Sequence, residues 1–217
     1  MQKAKFILMV TLAISFSAKA QDWSGKIYQF DKVYPGYVVK LTGDTIRGFV
    51  EHNRRYENQN KCIFFSDPAD KKSKTVYKPD DIKGYSVGDK VYRSIRYSGG
   101  LFGKTLKFNL LLKEGHITQY MFYNKEEGFV LQVRNAGETD YDYDKRSSTE
   151  QPVYQKGDEQ PFSHDKFALR WAKVMAELVA DDTELAAKVS QKQEGYKFLN
   201  HYKVLDEYNA WYEKNHH

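Results

Sequence analysis

The chain of 217 residues contains one cysteine, Cys62. A single thiol excludes an internal disulfide, so the fold has to be held together by a packed core. Cys62 lies in the apolar, strand-like stretch KCIFF, and no basic group with suitable local spacing is present to lower its pKa. We therefore predict a buried and unreactive side chain, as is usual for a free cysteine.

After residue 20 the sequence has no apolar run long enough to span a bilayer as a helix. The first 20 residues differ, because Lys3 and Lys5 precede the apolar run FILMVTLAISFS and Ala18-Lys19-Ala20 follows it. This pattern is typical of a secretory signal peptide, cleaved here between Ala20 and Gln21. We expect an exported protein, periplasmic or secreted, without a transmembrane anchor.

A strong net charge is also missing. The formal charge of +5 includes Lys3, Lys5 and Lys19, and because residues 1–20 hold no acid, their removal leaves +2. No stripe of Lys and Arg with interleaved aromatic residues occurs, although such a stripe is typical of proteins that bind nucleic acids. We therefore expect no nucleic-acid partner.

Local signatures of metal or nucleophile chemistry are missing as well, since neither HExxH nor GxSxG occurs. Asp140, Asp142 and Asp144 have the spacing of the first calcium ligands in an EF-hand loop. Lys145 replaces the required glycine, however, and Gln151 replaces the bidentate glutamate. We predict a mobile, metal-free acidic loop. The sequence assigns no catalytic, cofactor-binding or metal-binding residue.

The stretch SGGLFGKT, residues 98–105, differs from the phosphate-binding pattern GxxxxGK[ST] only at Ser98. A phosphate-binding loop follows a strand and opens a helix, because the helix N-terminus and successive N–H groups hold the phosphates. After Lys104 the sequence alternates like a strand and is interrupted at Gly115. We predict a connection between two hairpins and no nucleotide ligand.

From Tyr34 to about Arg134, short β-branched and aromatic runs alternate with turns that contain Gly, Asp or Pro. Three hairpins are predicted: GYVVKL with TIRGFVEH, DIKGYSV with VYRSIRY, and KTLKFNLLL with HITQYMFY. KCIFF, KTVYK and FVLQVR bring the number to about nine short strands. The pattern predicts an α+β protein whose antiparallel β-rich body, a sandwich, roll or small barrel, covers 21–134.

Residues 135–162 are rich in Asp, Glu, Ser and Gln, which predicts a surface loop or linker with at most one short strand at PVYQK. Three short helices follow; the first begins at Ser163, the second follows Asp181-Asp182, and the third comes after Gly195. We expect this block, 163–217, to pack on the β-rich body, because isolated helices of this length are marginal in water. The predicted apolar stripes are Phe167, Trp171, Val174 and Leu178 in the first helix, and Phe198, Tyr202, Leu205 and Tyr212 in the third.

Three stretches resemble a group of uncharacterised exported Bacteroidetes proteins. They are GYVVKLTGDTIRGFV, YKPDDIKGYSVGDKVYRS, and a tail in which ADDTELAAKV precedes Tyr208, Asn209, Trp211 and Tyr212. Members of the group open with a GDT[IL][KR]G hairpin and finish in short helices with a Tyr-Asn pair. The resemblance implies a location in the envelope of a Gram-negative cell. Since the group has no assigned activity, it implies no functional residue.

The aromatic content is the unusual feature of the composition, with 17 Tyr, 13 Phe and 3 Trp. Most of these side chains suit the core and half-buried sheet positions, while exposed ones serve to bind proteins or sugars. We expect a non-enzymatic envelope protein that binds a partner protein or a glycan. The alternative is a hydrolase that acts on an envelope or dietary polymer through two carboxylates distant in sequence, which requires a cleft that contains them.

Overall fold

The computed structural model describes residues 28–100, 103–128, 133–168 and 170–216. In these ranges ten strands form one antiparallel sheet, and the helices lie mostly after it, which confirms the predicted α+β class and the antiparallel β-rich body. The predicted signal peptide, its cleavage site and most of the predicted strand FVLQVR lie outside the described residues. Of the helices in these ranges, none combines the length and the apolar character needed to cross a membrane.

The sheet is a continuous series of antiparallel pairs, and it contains the three predicted hairpins. Its strands, in chain order, are β1 (Lys32–Lys40), β2 (Thr45–His52), β3 (Cys62–Phe65), β4 (Lys74–Tyr77), β5 (Ile82–Val87), β6 (Lys90–Ile95), β7 (Lys107–Lys113), β8 (Ile117–Lys125), β9 (Ser148–Lys156) and β10 (Phe162–Ser163). Their order in the sheet is β10-β9-β8-β7-β6-β5-β1-β2-β3-β4.

Six α-helices occur in the described ranges, with short 3₁₀ turns at Lys71–Ser73 and Phe198–Asn200. The helices are α1 (Arg55–Asn58), α2 (Asp140–Arg146), α3 (Asp165–Ala168), α4 (Trp171–Leu178), α5 (Thr183–Ser190) and α6 (His201–His216). Four of the six follow the last strand, while α1 and α2 are inserted between strands.

The GDT stretch of the first hairpin forms its turn. Gly43 has φ of +100°, a conformation open to glycine and rarely adopted by other residues, and its N–H donates to the Lys40 carbonyl over 2.9 Å. Thr42 Oγ1 donates to Asp44 Oδ2 over 2.8 Å. These residues carry part of the resemblance to the Bacteroidetes group, and in the structure they close a hairpin.

Residues 135–162 do not form the predicted linker, because they contain α2 and β9. The nine residues of β9 pair with β8 from Lys156 opposite Ile117 to Ser148 opposite Lys125. Only two residues of β10 cover its other edge. A strand this close to the rim of a sheet needs few apolar residues, and in β9 the buried apolar ones are Val153 and Tyr154. Its last five residues are the predicted strand PVYQK, while the polar composition of its first four residues concealed the rest.

The acidic residues Asp140, Asp142 and Asp144 do not lie in the predicted loop either, since all three belong to α2. Thr139 caps this helix, because its Oγ1 accepts the Asp142 N–H over 3.1 Å, and Lys145 in the last turn suits the helix dipole. The T-x-x-D spacing was the sequence signal for this helix.

Asp144 is buried and attaches α2 to α1. Its Oδ1 accepts the backbone N–H of Arg55 over 2.9 Å, and its Oδ2 lies 3.2 Å from Arg55 Nε. Arg55 Nη1 also lies 2.7 Å from Glu150 Oε1 on β9, and its guanidinium carbon lies 4.7 Å from the centre of the Tyr123 ring. Burial raises the pKa of Asp144 to about 6, and the Arg55 guanidinium opposes that rise.

Gln59, directly after α1, binds the ends of β7 and β8. Its side-chain amide donates to the Tyr123 carbonyl over 2.8 Å and accepts the Tyr123 N–H over 2.6 Å, as a neighbouring strand would. Its own carbonyl accepts the Phe108 N–H over 3.0 Å. The connection between β2 and β3 thus bonds to β7 and β8, which lie four and five places from β2 in the sheet, so the sheet curls around a core.

Seven strands and α1 contribute side chains to this core. Cys62 is among them, buried as predicted, and burial raises the pKa of its thiol. The core residues are Val38, Val50, Tyr56, Cys62, Phe64, Ile82, Tyr85, Val87, Tyr92, Phe108, Leu110, Met121 and Tyr123.

A second core joins the C-terminal helices to the sheet through Ile117 on β8 and Tyr154 on β9. The predicted stripes are partly wrong. The first predicted helix is two helices, and α4 begins at Trp171, so Met175 and Val179 are buried where Val174 and Leu178 are half-buried. In α6 the buried residues are His201, Val204, Leu205 and Tyr208. Tyr202 is 44% exposed, because the 3₁₀ turn at Phe198–Asn200 shifts the helical phase.

The Tyr-Asn pair of the tail fastens α6 to the sheet. Asn209 Oδ1 accepts the Ile117 N–H over 2.8 Å, and its Nδ2 donates to the Ile117 carbonyl over 3.0 Å. A Cβ at Gly115 would collide with this amide. Tyr208 donates to Asp181 Oδ2 over 2.7 Å, and Lys156 lies 2.5 Å from the same carboxylate.

We expect Asp144→Ala to lower the free energy of unfolding by about 3–5 kcal/mol, because it removes a partner from a buried ion pair and leaves the Arg55 guanidinium partly uncompensated. Urea denaturation measures this loss. The matched control is Asp158→Ala, at an exposed turn position, which should change stability by less than about 0.5 kcal/mol. Equal effects of the two substitutions would show that the pair does not hold α1 and α2 together.

Candidate binding cleft

An open cleft of about 850 Å³ lies between α4, the end of α5 and the 3₁₀ turn that precedes α6. These three pieces of chain lie on the second core, so the sheet positions them through Ile117 and Tyr154. Clefts of this volume suit a small molecule or a segment of a partner chain.

The floor of the cleft is apolar. Ala172 and Ala176 stand one turn apart on α4, and their small side chains leave room above the helix. Trp171 and Phe198 meet edge to face with ring centres 5.7 Å apart. The indole N–H of Trp171 lies 3.4 Å from the Tyr196 carbonyl, which holds the ring beside the chain that forms the opposite wall.

The rim of the cleft is basic. Arg170 and Lys173 stand on the α4 side, and Lys192 and Lys197 stand on the opposite wall. Of the described residues in the lining, one is acidic, Glu177, and its carboxylate is 3.9 Å from Lys173 Nζ. Both groups of that pair are exposed, so solvent screens their attraction and the pair contributes little.

The backbone of Lys192, a residue of the rim, has a strained left-handed conformation. Its φ is +53°, and its N–H donates to the Val189 carbonyl while the Gln193 N–H donates to the Lys188 carbonyl. This is the Schellman pattern that ends many helices, and glycine normally occupies the left-handed position. A lysine there costs about 1–2 kcal/mol of backbone strain.

Two histidines lie directly behind the aromatic floor. The rings of His164 and His201 are centred 4.8 Å apart, and Phe198 packs 5.0 Å from His164. His201 Nδ1 lies 3.1 Å from the Phe198 carbonyl, to which it donates when that nitrogen carries the proton. Burial lowers the pKa of both imidazoles, and the adjacent His164 lowers the pKa of His201 further.

The sequence placed Trp171 and Phe198 in apolar stripes, and both do contribute to the second core. It did not identify them or the four cations as a site. The one local signal is that RWAK and KQEGYKF set basic residues beside aromatic ones, in two stretches separated by 18 residues. Only the fold brings these stretches together.

The other motifs noted in the sequence do not converge on a site. After Thr105 the chain enters β7 at Lys107, as predicted, so no helix follows Lys104. Gly99 and Gly100 both have positive φ, and the Ser98 N–H donates to the Gly103 carbonyl, which forms a turn. In the part of the chain that the structure describes, no three His, Cys, Asp or Glu side chains are placed to hold a metal ion.

The carboxylates of Asp144 and Glu150 both bind Arg55, and these two residues are only six positions apart in the sequence. The Asp144 side chain is only 6% exposed, beneath α1, so a polymer substrate has no access to it. The arrangement is that of a buried structural ion pair.

No protein-family model, no curated protein and no solved structure matches this chain.

We expect the histidine pair to make the protein less stable in acid. Both pKa values are depressed in the folded state, so the unfolded chain binds more protons below about pH 6.5. The contribution of the two histidines to the free energy of unfolding is therefore fully present above that pH and falls as the pH decreases. His52, with a pKa lowered to about 4 by burial, adds to the same trend. In urea denaturation at pH 7 and pH 5, His201→Gln should lose less stability than the wild type. An identical loss would exclude His201 as a contributor.

Lys192→Gly should raise the free energy of unfolding by about 0.5–1 kcal/mol, because glycine adopts the left-handed conformation without strain and this gain exceeds its greater freedom in the unfolded chain. Thermal denaturation monitored by circular dichroism measures the change. Lys188→Gly, inside α5, is the control and should destabilise by about 1 kcal/mol. A Lys192→Gly protein less stable than the wild type would contradict the strain assigned to this residue.

Proposed function

We propose that the protein is a non-enzymatic binding module of the bacterial cell envelope, and that it binds a partner protein at the cleft over Trp171 and Phe198. The observation that carries the proposal is the combination of an aromatic floor with apolar side chains that project beside it. Leu199 is 89% exposed and Tyr202 is 44% exposed, next to the half-buried Phe198. Exposed apolar residues within four positions of Phe198 are what we expect beside a surface that binds a partner.

A protein partner fits this surface better than a glycan does. Buried aromatic anchors surrounded by a polar rim are typical of protein interfaces, and arginine and tyrosine are enriched in their centres. Sugar hydroxyl groups need several precisely placed hydrogen-bonding side chains. Among the described residues, the lining supplies one carboxylate and the Ser190 hydroxyl besides its cations. The exposed side chain of Leu199 cannot form a hydrogen bond with a sugar.

The envelope location is supported by the sequence. The basic, apolar and small-residue segments before Gln21 are typical of an export signal, and three stretches resemble exported Bacteroidetes proteins. Absence of catalysis is the simpler proposal, because among the described residues that line the cleft Glu177 is the one carboxylate, and it lies beside Lys173.

Site-specific photo-crosslinking in living cells tests the proposal. A photoreactive phenylalanine analogue replaces Leu199 in one strain and Leu41, an exposed leucine of the first hairpin, in the control strain. We expect one discrete protein adduct at position 199, none at 41, and loss of the adduct when Phe198→Ala is added to a variant that still melts cooperatively. Adducts of the same pattern at both positions, or none at 199, would contradict the proposal, as would an adduct that consists of carbohydrate.

A further inference from the structure

Among the described residues that line the cleft, the basic side chains outnumber the acidic ones. In the part of the chain that the structure describes, Arg170, Lys192 and Lys197 take part in no salt bridge. Lys173 has only the long, exposed contact with Glu177. Elsewhere on the surface, basic residues such as Lys113 and Arg134 lie 2.7 Å from Asp206 and Asp140. Among the described residues, the lining of the cleft therefore combines four basic side chains with one carboxylate and carries a net positive charge.

The cations also flank the apolar floor on two sides. Arg170 directly precedes α4 and Lys173 lies in its first turn, while Lys192 and Lys197 belong to the connection between α5 and α6. Trp171 belongs to the first wall and Phe198 to the second, and their rings meet in the centre of the cleft. A ligand complementary to the cleft presents an apolar side chain at its centre and negative charge on both flanks.

We propose that the cleft binds an acidic, amphipathic segment of the partner protein, in which carboxylates on either side of an apolar anchor meet Arg170 and Lys173 on one wall and Lys192 and Lys197 on the other. This inference rests on the proposed function and specifies the chemistry of the partner. The anchor packs on Phe198 and Trp171 and excludes water from the centre of the interface. The flanking pairs sit at the rim, where they accelerate association and select against basic partners.

The strained backbone of Lys192 supports the same assignment. Glycine at this position would end α5 with less strain, yet the chain carries a lysine whose side chain stands in the rim. Local strain that the rest of the fold has to offset is a common property of functional positions. Affinity and stability should therefore change in opposite directions at this residue.

Fluorescence anisotropy with labelled probes tests the inference on the full chain. The probes are a synthetic amphipathic peptide of Glu and Leu with one central Phe, the same peptide with Lys in place of Glu, and an oligomer of polygalacturonate. We expect saturable binding of the acidic peptide only, weaker by roughly tenfold or more when salt is raised from about 50 to about 300 mM, because screening weakens rim charges.

Two charge-reversal variants assign the binding to the cleft. Lys192→Glu with Lys197→Glu should weaken binding of the acidic peptide at least tenfold and should permit binding of the lysine peptide. Lys71→Glu with Lys72→Glu makes the same change of charge in the exposed 3₁₀ turn before β4, and it should leave both affinities unchanged. Lys192→Gly should weaken binding while it raises the melting temperature.

Equal loss in the two double variants, or equal binding of the acidic and basic peptides, would overturn the inference. Tighter and equally charge-dependent binding of polygalacturonate would assign the cleft to an acidic glycan instead. If Phe198→Ala abolishes crosslinking at Leu199 while reversal of Lys192 and Lys197 does not reduce it, the acidic-partner inference fails and the proposed function stands. If no adduct forms at Leu199, the proposed function fails.

Discussion

The structure depends on the short connection between β2 and β3, which forms hydrogen bonds with the distant strands β7 and β8. A ten-stranded antiparallel sheet left open would expose one face of every strand to water. Here the Gln59 amide takes the place of a strand beside Tyr123, and Arg55 is held by Asp144 and Glu150. Because these contacts join distant strands, the sheet curls and seven strands bury their side chains in one core.

The C-terminal helices pack on the part of the sheet that the first core does not cover. The start of β8 and the strand β9 extend past the first core. Their buried residues Ile117 and Tyr154 form the surface on which α3 to α6 pack. Asn209 fixes α6 to β8 by bonding both backbone groups of Ile117. The cleft is thus held by helices too short to be stable alone, and its geometry is set by the sheet beneath them.

Much of the fold could be predicted because local patterns agree with it. Alternating apolar residues and turns such as that at Gly43 specify the hairpins, and Asp182 caps α5 where the sequence places a helix start. The first four residues of β9 were missed because a strand near the rim carries polar side chains. The helical phases were missed because breaks before Trp171 and His201 reset them. The cleft was not predictable, since its walls come from separate segments that only tertiary packing brings together.

Native-state hydrogen exchange tests the closure most directly. If Gln59 closes the sheet, the Tyr123 amide in the wild type exchanges only through global unfolding, with the same free energy as the slowest core amides. In Gln59→Ala the protection of Tyr123 should fall roughly tenfold or more below that of the β5 and β6 amides, because a local opening now exposes it. A Tyr123 amide as protected in the variant as the rest of the core would contradict the account.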